Sequence, residues 1–191
     1  MLISVISENG NGKTQLMDSF NIKSQLNRIP SLYLTVEKEE GAVNIFFRKF
    51  IFGLIGFLEK NEISSGIFDK ANALINTDGS FVQDRELIFK IRTVIKEIFD
   101  NLNTKQSILL LIDDITNLED TGKDLMTFIF NLSVTSPLFV ILSIDIDLVD
   151  REECRLKSYE NIYYLIPPKR YYIENLKVNE VKKYISFLLR T

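Results

Sequence analysis

Apolar positions along the chain fall into two rhythms. Short apolar runs occur at 2–6 (LISVI), 31–37 (SLYLTVE), 107–114 (SILLLIDD), 138–145 (LFVILSID) and 161–166 (NIYYLI). Each has the length of a strand, and runs this apolar suit strands buried on both faces of a sheet. Between them apolar residues recur at intervals of three and four. Residues 84–102 place Leu87, Ile88, Ile91, Val94, Ile95, Ile98 and Phe99 on one helical face, with Asp84 as N-cap. Residues 64–76 repeat the pattern with Ile67, Phe68, Ala71, Leu74 and Ile75, and the NTDGS group that follows ends it. Further helices are predicted after the glycine turn at 10–12, over 42–60, over 121–133 and, with Asn179 as N-cap, over 179–190.

Strands that alternate with helices imply a parallel sheet covered on both faces, a three-layer α/β sandwich. In such sheets ligands bind at the carboxyl ends of the strands. The loop 7–14, the acids Asp113 and Asp114, and the polar end at 143–147 all occupy such ends.

Composition narrows the chemistry. A chain of 191 residues, 46% apolar, is one domain with a sizeable core. It has no histidine, which excludes imidazole bases, Ser-His-Asp triads and His-ligated zinc. Its single cysteine, Cys154, excludes an internal disulfide and a cysteine metal cluster, so a reducing, cytoplasmic setting is expected. A net charge of −3 does not suggest a surface built to coat nucleic acid, although Arg28, Lys169 and Arg170 could form local basic patches. The most membrane-like stretch, 42–59, is interrupted by Arg48 and Lys49 and reads as a buried helix.

The segment SENGNGKT (7–14) nearly completes a phosphate loop, G-x-x-x-x-G-K-[ST]. Gly10 and Gly12 give the backbone freedom to curl its N–H groups inward, and the following helix points its positive end at an anion. Lys13 would reach the β- and γ-phosphates, and Thr14 would offer a hydroxyl to Mg²⁺. Ser7 stands where the first glycine belongs; serine is small and common in turns, so closure of the loop is expected. Glu8 is read as outward-facing and neutral to binding. A plain glycine turn with a surface lysine is the competing reading. LLLIDDI (109–115) speaks against it, because a buried strand there delivers two carboxylates beside the loop. Asp113 can hold Mg²⁺ through water, and Asp114 can polarise a water for attack on the γ-phosphate.

Together these two segments resemble the Walker A and Walker B motifs of P-loop NTPases. The extra strand after the second motif is similar to the additional-strand class that includes AAA+ and STAND ATPases, and the paired aspartates resemble STAND and origin-recognition members. The resemblance implies a five-stranded, mainly parallel sheet in the order 5-1-4-3-2. It implies ATP or ADP with Mg²⁺ as cofactors, with Ser7, Glu8, Asn9, Gly10, Asn11, Gly12, Lys13, Thr14 and Gln15 around the nucleotide. Thr14 and Asp113 would serve the metal. Lys13, Asp114 and a sensor, Ser143 with Asp145 as runner-up, would serve catalysis. Arg151 and Arg155 lie where such families place a finger for a neighbouring subunit, though solvated surface charge is the simpler reading of both.

On the same resemblance, residues 1–176 form the ATPase core and 177–191 begin a helical lid, so the expectation is either a minimal core or, the favoured reading, a piece of a larger protein. A homo- or hetero-oligomer with a protein partner is expected; nucleic acid stays open, and no membrane span is expected. ATP is favoured over GTP because NTKQS (103–107) lacks the final aspartate of a guanine-reading motif. Two functions remain: a Mg²⁺-dependent ATPase, or a nucleotide-binding switch with little turnover. A small-molecule kinase is weaker, because no arginine-rich lid is visible.

Overall fold

The apolar runs become strands because both faces of a covered sheet favour apolar side chains, with Ser4 in the middle of β1 a buried polar exception. The computed structural model describes residues 1–8, 10–38, 42–60, 65–76, 85–101, 107–118, 120–145 and 169–174. In chain order the elements are β1 (Leu2–Ser7), α1 (Lys13–Leu26), β2 (Ser31–Thr35), α2 (Ala42–Lys60), α3 (Ser65–Ile75), α4 (Arg85–Asn101), β3 (Ile108–Asp113), α5 (Asp120–Thr135), β4 (Leu138–Asp145) and β5 (Lys169–Tyr172). A 3-10 turn, Ile115–Asn117, follows β3. The sheet is wholly parallel in the order β2-β3-β4-β1-β5, the expected 5-1-4-3-2 read from the other edge.

The two faces of the sheet carry unequal layers. Leu110, Ile112, Val140, Leu142 and Ile144 pack with α2, α3, α4 and α5 into one large core. Within it Phe46, Phe47, Phe50, Ile51 and Leu54 of α2 are almost fully buried, so the most apolar helix is a core element. Gly53 lets α2 approach β2 closely, since a Cβ there would stand 2.3 Å from Leu32 Cδ1. Among the described residues no helix is long and apolar enough to cross a membrane. The seven apolar residues predicted for one face of α4 lie in this core, six buried and Ile88 packed against it.

The other face is covered by α1, whose Met17 joins Val5, Leu111 and Ile141, with Tyr33, Leu109 and Phe20 packed against them. Side chains alternate across a strand. The odd-numbered positions of β1, β3 and β4 therefore face α1, and their last members are Ser7, Asp113 and the pair Ser143 and Asp145.

The sequence places the last strand at 161–166, but those residues lie outside the described ones. The strand that pairs with β1 is Lys169–Tyr172, matching Ile3 to Lys169 through Ile6 to Tyr172. All four of its residues are exposed, as an edge strand held by backbone hydrogen bonds permits. Asn9, Asp84, Arg151, Arg155, Asn179 and the expected lid at 177–191 also lie outside the described residues.

Candidate functional site

The geometry at the end of β1 explains why a serine can stand where a glycine is usual. Ser7 is still inside the strand, paired in register with Asp145, and its φ is not in the left-handed region. The loop turns instead at Gly10 and Gly12, with φ of +85° and +80°. Gly12 is the N-cap of α1, and its carbonyl accepts the Leu16 N–H at 3.0 Å. A Cβ on Gly12 would meet only Gln15 Oε1, at an ordinary 3.8 Å. The need for glycine there is thus conformational. Gly12→Ala is expected to cost about 1–2 kcal/mol in urea unfolding, and Gly12→Asn less, because asparagine tolerates this region.

Lys13 begins α1 and folds back over the loop, with only 6% of its surface exposed. A buried ammonium needs acceptors for its three protons. Lys13 Nζ donates to the Ser7 carbonyl at 3.1 Å, to Ser7 Oγ at 3.2 Å and to the Glu8 carbonyl at 2.8 Å. Ser7 Oγ in turn donates to the Glu8 carbonyl at 2.9 Å. Ser7 therefore contributes a lysine ligand that glycine could not. Glu8, Gly10, Thr14 and Gln15 are exposed, and Asn11 and Gly12 are half-buried.

Two strands away in the sheet, β3 ends in Asp113, which is 1% exposed. Both its carboxylate oxygens are engaged. Ser143 Oγ, from β4, donates to Oδ1, and Tyr33 Oη, from β2, donates to Oδ2 at 3.1 Å. Ser143 Oγ also accepts the Asp114 N–H at 2.8 Å, tying β4 to the residue after the strand. Asp114 has φ 56° and ψ 42°, a left-handed conformation in which aspartate and asparagine are enriched. Burial raises the Asp114 carboxyl above the ordinary carboxylate range, and the charges of Asp113 and Asp145 push the same way. Lys13 and Lys38 oppose them, which places the loop cation within electrostatic reach of the second acid. The Tyr33 phenol is raised above its usual range by burial and then by the Asp113 charge, so it remains a donor.

The structure thus brings Ser7, Lys13, Asp113, Ser143 and Asp145 together on the α1 side of the strand ends, with Asp114 within electrostatic reach of Lys13, Asp113 and Asp145. Arg28 lies at the opposite ends of the strands, where it lines an apolar cavity of about 530 Å³ with Met1, Ile29 and Phe139. Lys169 and Arg170 are exposed on β5. Tyr33 and Lys38 are absent from the sequence reading. Tyr33 looks like an ordinary strand aromatic until the pairing of β2 with β3 is known.

The donors suit a hydrated divalent cation. Among the described residues, the partners of the buried Asp113 carboxylate are neutral hydroxyls, which leave its charge uncompensated by direct contact. No three acidic, histidine or cysteine side chains among them converge to form a protein cage. A cation here would keep waters and take phosphate oxygens, as Mg²⁺ does.

No protein-family model matches the chain, and no curated protein does. Among solved structures it is similar to AMPPCP-bound DnaA from Aquifex aeolicus, with a TM-score of 0.51 at 16% identity. That likeness covers 100% of this chain and 45% of that one, so the chain spans less than half the length of DnaA. At this identity the likeness shows the fold alone, a three-layer α/β sandwich around a wholly parallel five-stranded sheet.

Proposed function

We propose that this chain is a Mg²⁺-dependent module of AAA+ type that binds and hydrolyses ATP and couples its nucleotide state to assembly or remodelling of a protein partner. One observation carries this reading: a glycine loop with a buried lysine and a paired-aspartate strand end converge at the carboxyl ends of the strands. The AMPPCP bound in the similar DnaA structure supports a nucleotide as the ligand. The paired aspartates favour the STAND or origin-recognition branch, with 1–176 as core, 177–191 as the start of a lid and an oligomer as the working form in the cytoplasm.

Each residue then has a task. The loop N–H groups and the amino end of α1 cradle the phosphates. Lys13 exchanges one of its loop carbonyls for a β- or γ-phosphate oxygen. Thr14 and Asp113 would hold Mg²⁺, which would supply neutralisation of the phosphate charge. Asp114 accepts a proton from the attacking water, a task helped by a raised carboxyl. Ser143 holds Asp113 and the Asp114 backbone in fixed relation. The alternative, a nucleotide switch with little turnover, is favoured by the same serine. Its one proton is given to Asp113, and so is not directed at a phosphate.

Titration calorimetry of ATP and ADP with Mg²⁺, on wild type and Lys13→Ala, tests the reading. Micromolar ATP binding, weakened tenfold or more in the variant, is the expected result, since a charged hydrogen bond contributes about 1.5–3 kcal/mol. A thermal melt of Lys13→Ala separates lost binding from lost folding. A folded wild type that takes up neither nucleotide would sink the proposal.

A further inference from the structure

We propose that Tyr33 is a positioning residue for Asp113, fixing the carboxylate in the orientation that serves the metal; this rests on the nucleotide-binding reading above. Asp113 sits on a central strand between β2 and β4, and each neighbour supplies one hydroxyl. Ser143 holds Oδ1 from one side, and Tyr33 holds Oδ2 from the other. A carboxylate gripped at one oxygen can still swing the other; gripped at both, it cannot turn without breaking a hydrogen bond. Each oxygen keeps a second lone pair for a metal-bound water.

The reach of Tyr33 follows from the sheet. Thr35 is the residue paired with Asp113, and Tyr33, two positions earlier, is paired with Leu111. Residues two apart share a face, so Tyr33 lies diagonal to Asp113 across a parallel pair, about 8 Å away by strand rise and spacing, a gap that only a long side chain bridges. The ring packs against the cluster of Val5, Met17, Leu111 and Ile141 below α1. That packing fixes the phenol's direction before any ligand arrives. A phenylalanine would fill the same space, so packing alone does not account for the hydroxyl. Groups that orient a metal's ligands contribute about 10–100-fold to metal affinity.

Tyr33→Phe isolates the hydroxyl. ATP affinity is measured for wild type, Tyr33→Phe, Asp113→Asn and the double variant, each with Mg²⁺ and with EDTA, beside a thermal melt. In EDTA all four should bind within about twofold of one another. With Mg²⁺, the gain in affinity seen in wild type should fall about tenfold in Tyr33→Phe and vanish in Asp113→Asn. The double variant should match Asp113→Asn, because a positioning residue has nothing left to position. Equal losses with and without Mg²⁺, or additive losses in the double variant, would show a merely structural tyrosine and overturn the inference.

Mn²⁺ binding without nucleotide, read by water-proton relaxation, separates this inference from the reading it rests on. Wild type that takes Mn²⁺, with about tenfold weaker uptake in Tyr33→Phe, but never binds ATP retains Tyr33 and rejects the nucleotide site. ATP binding whose Mg²⁺ gain survives Tyr33→Phe does the reverse. Wild type that binds neither rejects both.

Discussion

Asp114→Asn is expected to lower ATP turnover by about two to four orders of magnitude, the usual contribution of a positioned base, while ATP stays bound. The same substitution is expected to raise the thermal midpoint at pH 7. The backbone at Asp114 is left-handed, a conformation asparagine shares, so the exchange adds no strain. What it removes is a carboxylate that the fold disfavours: burial, Asp113 and Asp145 all raise its pKa, against Lys13 and Lys38. A carboxyl raised in the folded state adds stability that is fully present below its unfolded pKa and is lost as pH rises through the folded value. Wild type therefore lacks at neutral pH a stability that asparagine retains. The advantage of Asp114→Asn should shrink as pH falls from the raised value toward the ordinary ~3.9 of aspartate. Melts across that range beside a phosphate-release assay check both halves. An advantage independent of pH, or turnover equal to wild type, would remove Asp114 from its assigned role.

The largest loss of stability should come from the opposite face of the sheet. Phe47 of α2 is fully buried and meets Phe46 edge-on, with ring centroids 5.1 Å apart and planes at 89°. Truncation to alanine removes that contact and leaves a cavity that helices packed on both sides close only in part. A cost of about 3–5 kcal/mol is expected in urea unfolding, a large part of the ~5–15 kcal/mol that holds a typical domain. The proposed nucleotide site lies on the α1 face, across the sheet from α2. ATP affinity of folded Phe47→Ala should therefore stay within about twofold of wild type, since distant sites with no shared partner act independently. A tenfold change in affinity would mean that the two layers are coupled through β2, where Gly53 meets Leu32.

Much of this architecture was legible in the chain because burial leaves a trace in composition. Strands covered on both faces have no polar face, so 2–6, 107–114 and 138–145 stand out as apolar runs. Helices covered on one side keep a rhythm of three and four, as α4 does through Leu87, Ile91, Val94 and Ile98. The fifth strand was not legible. KRYY at 169–172 is exposed on an edge and is held by backbone pairing to β1, which any side chains allow.

The loop and the two acids could be named from the sequence because each chemistry demands particular residue types at fixed spacing. Left-handed turns demand glycine at 10 and 12, and hard oxygen chemistry demands carboxylates at a strand end. The Tyr33 contact could not be read this way. Tyr33 and Asp113 are 80 residues apart in the chain. Their contact depends on which strands are neighbours and on a register that pairs Thr35 with Asp113. A slip of one residue would turn Tyr33 to the other face. The sequence by itself determined the local elements and the chemical types at the strand ends, because propensity and burial act on each stretch separately. Only the tertiary structure decided that Lys13 closes on Ser7 and that Tyr33 and Ser143 grip Asp113 from both sides, because those contacts arise when separate strands are packed in one register.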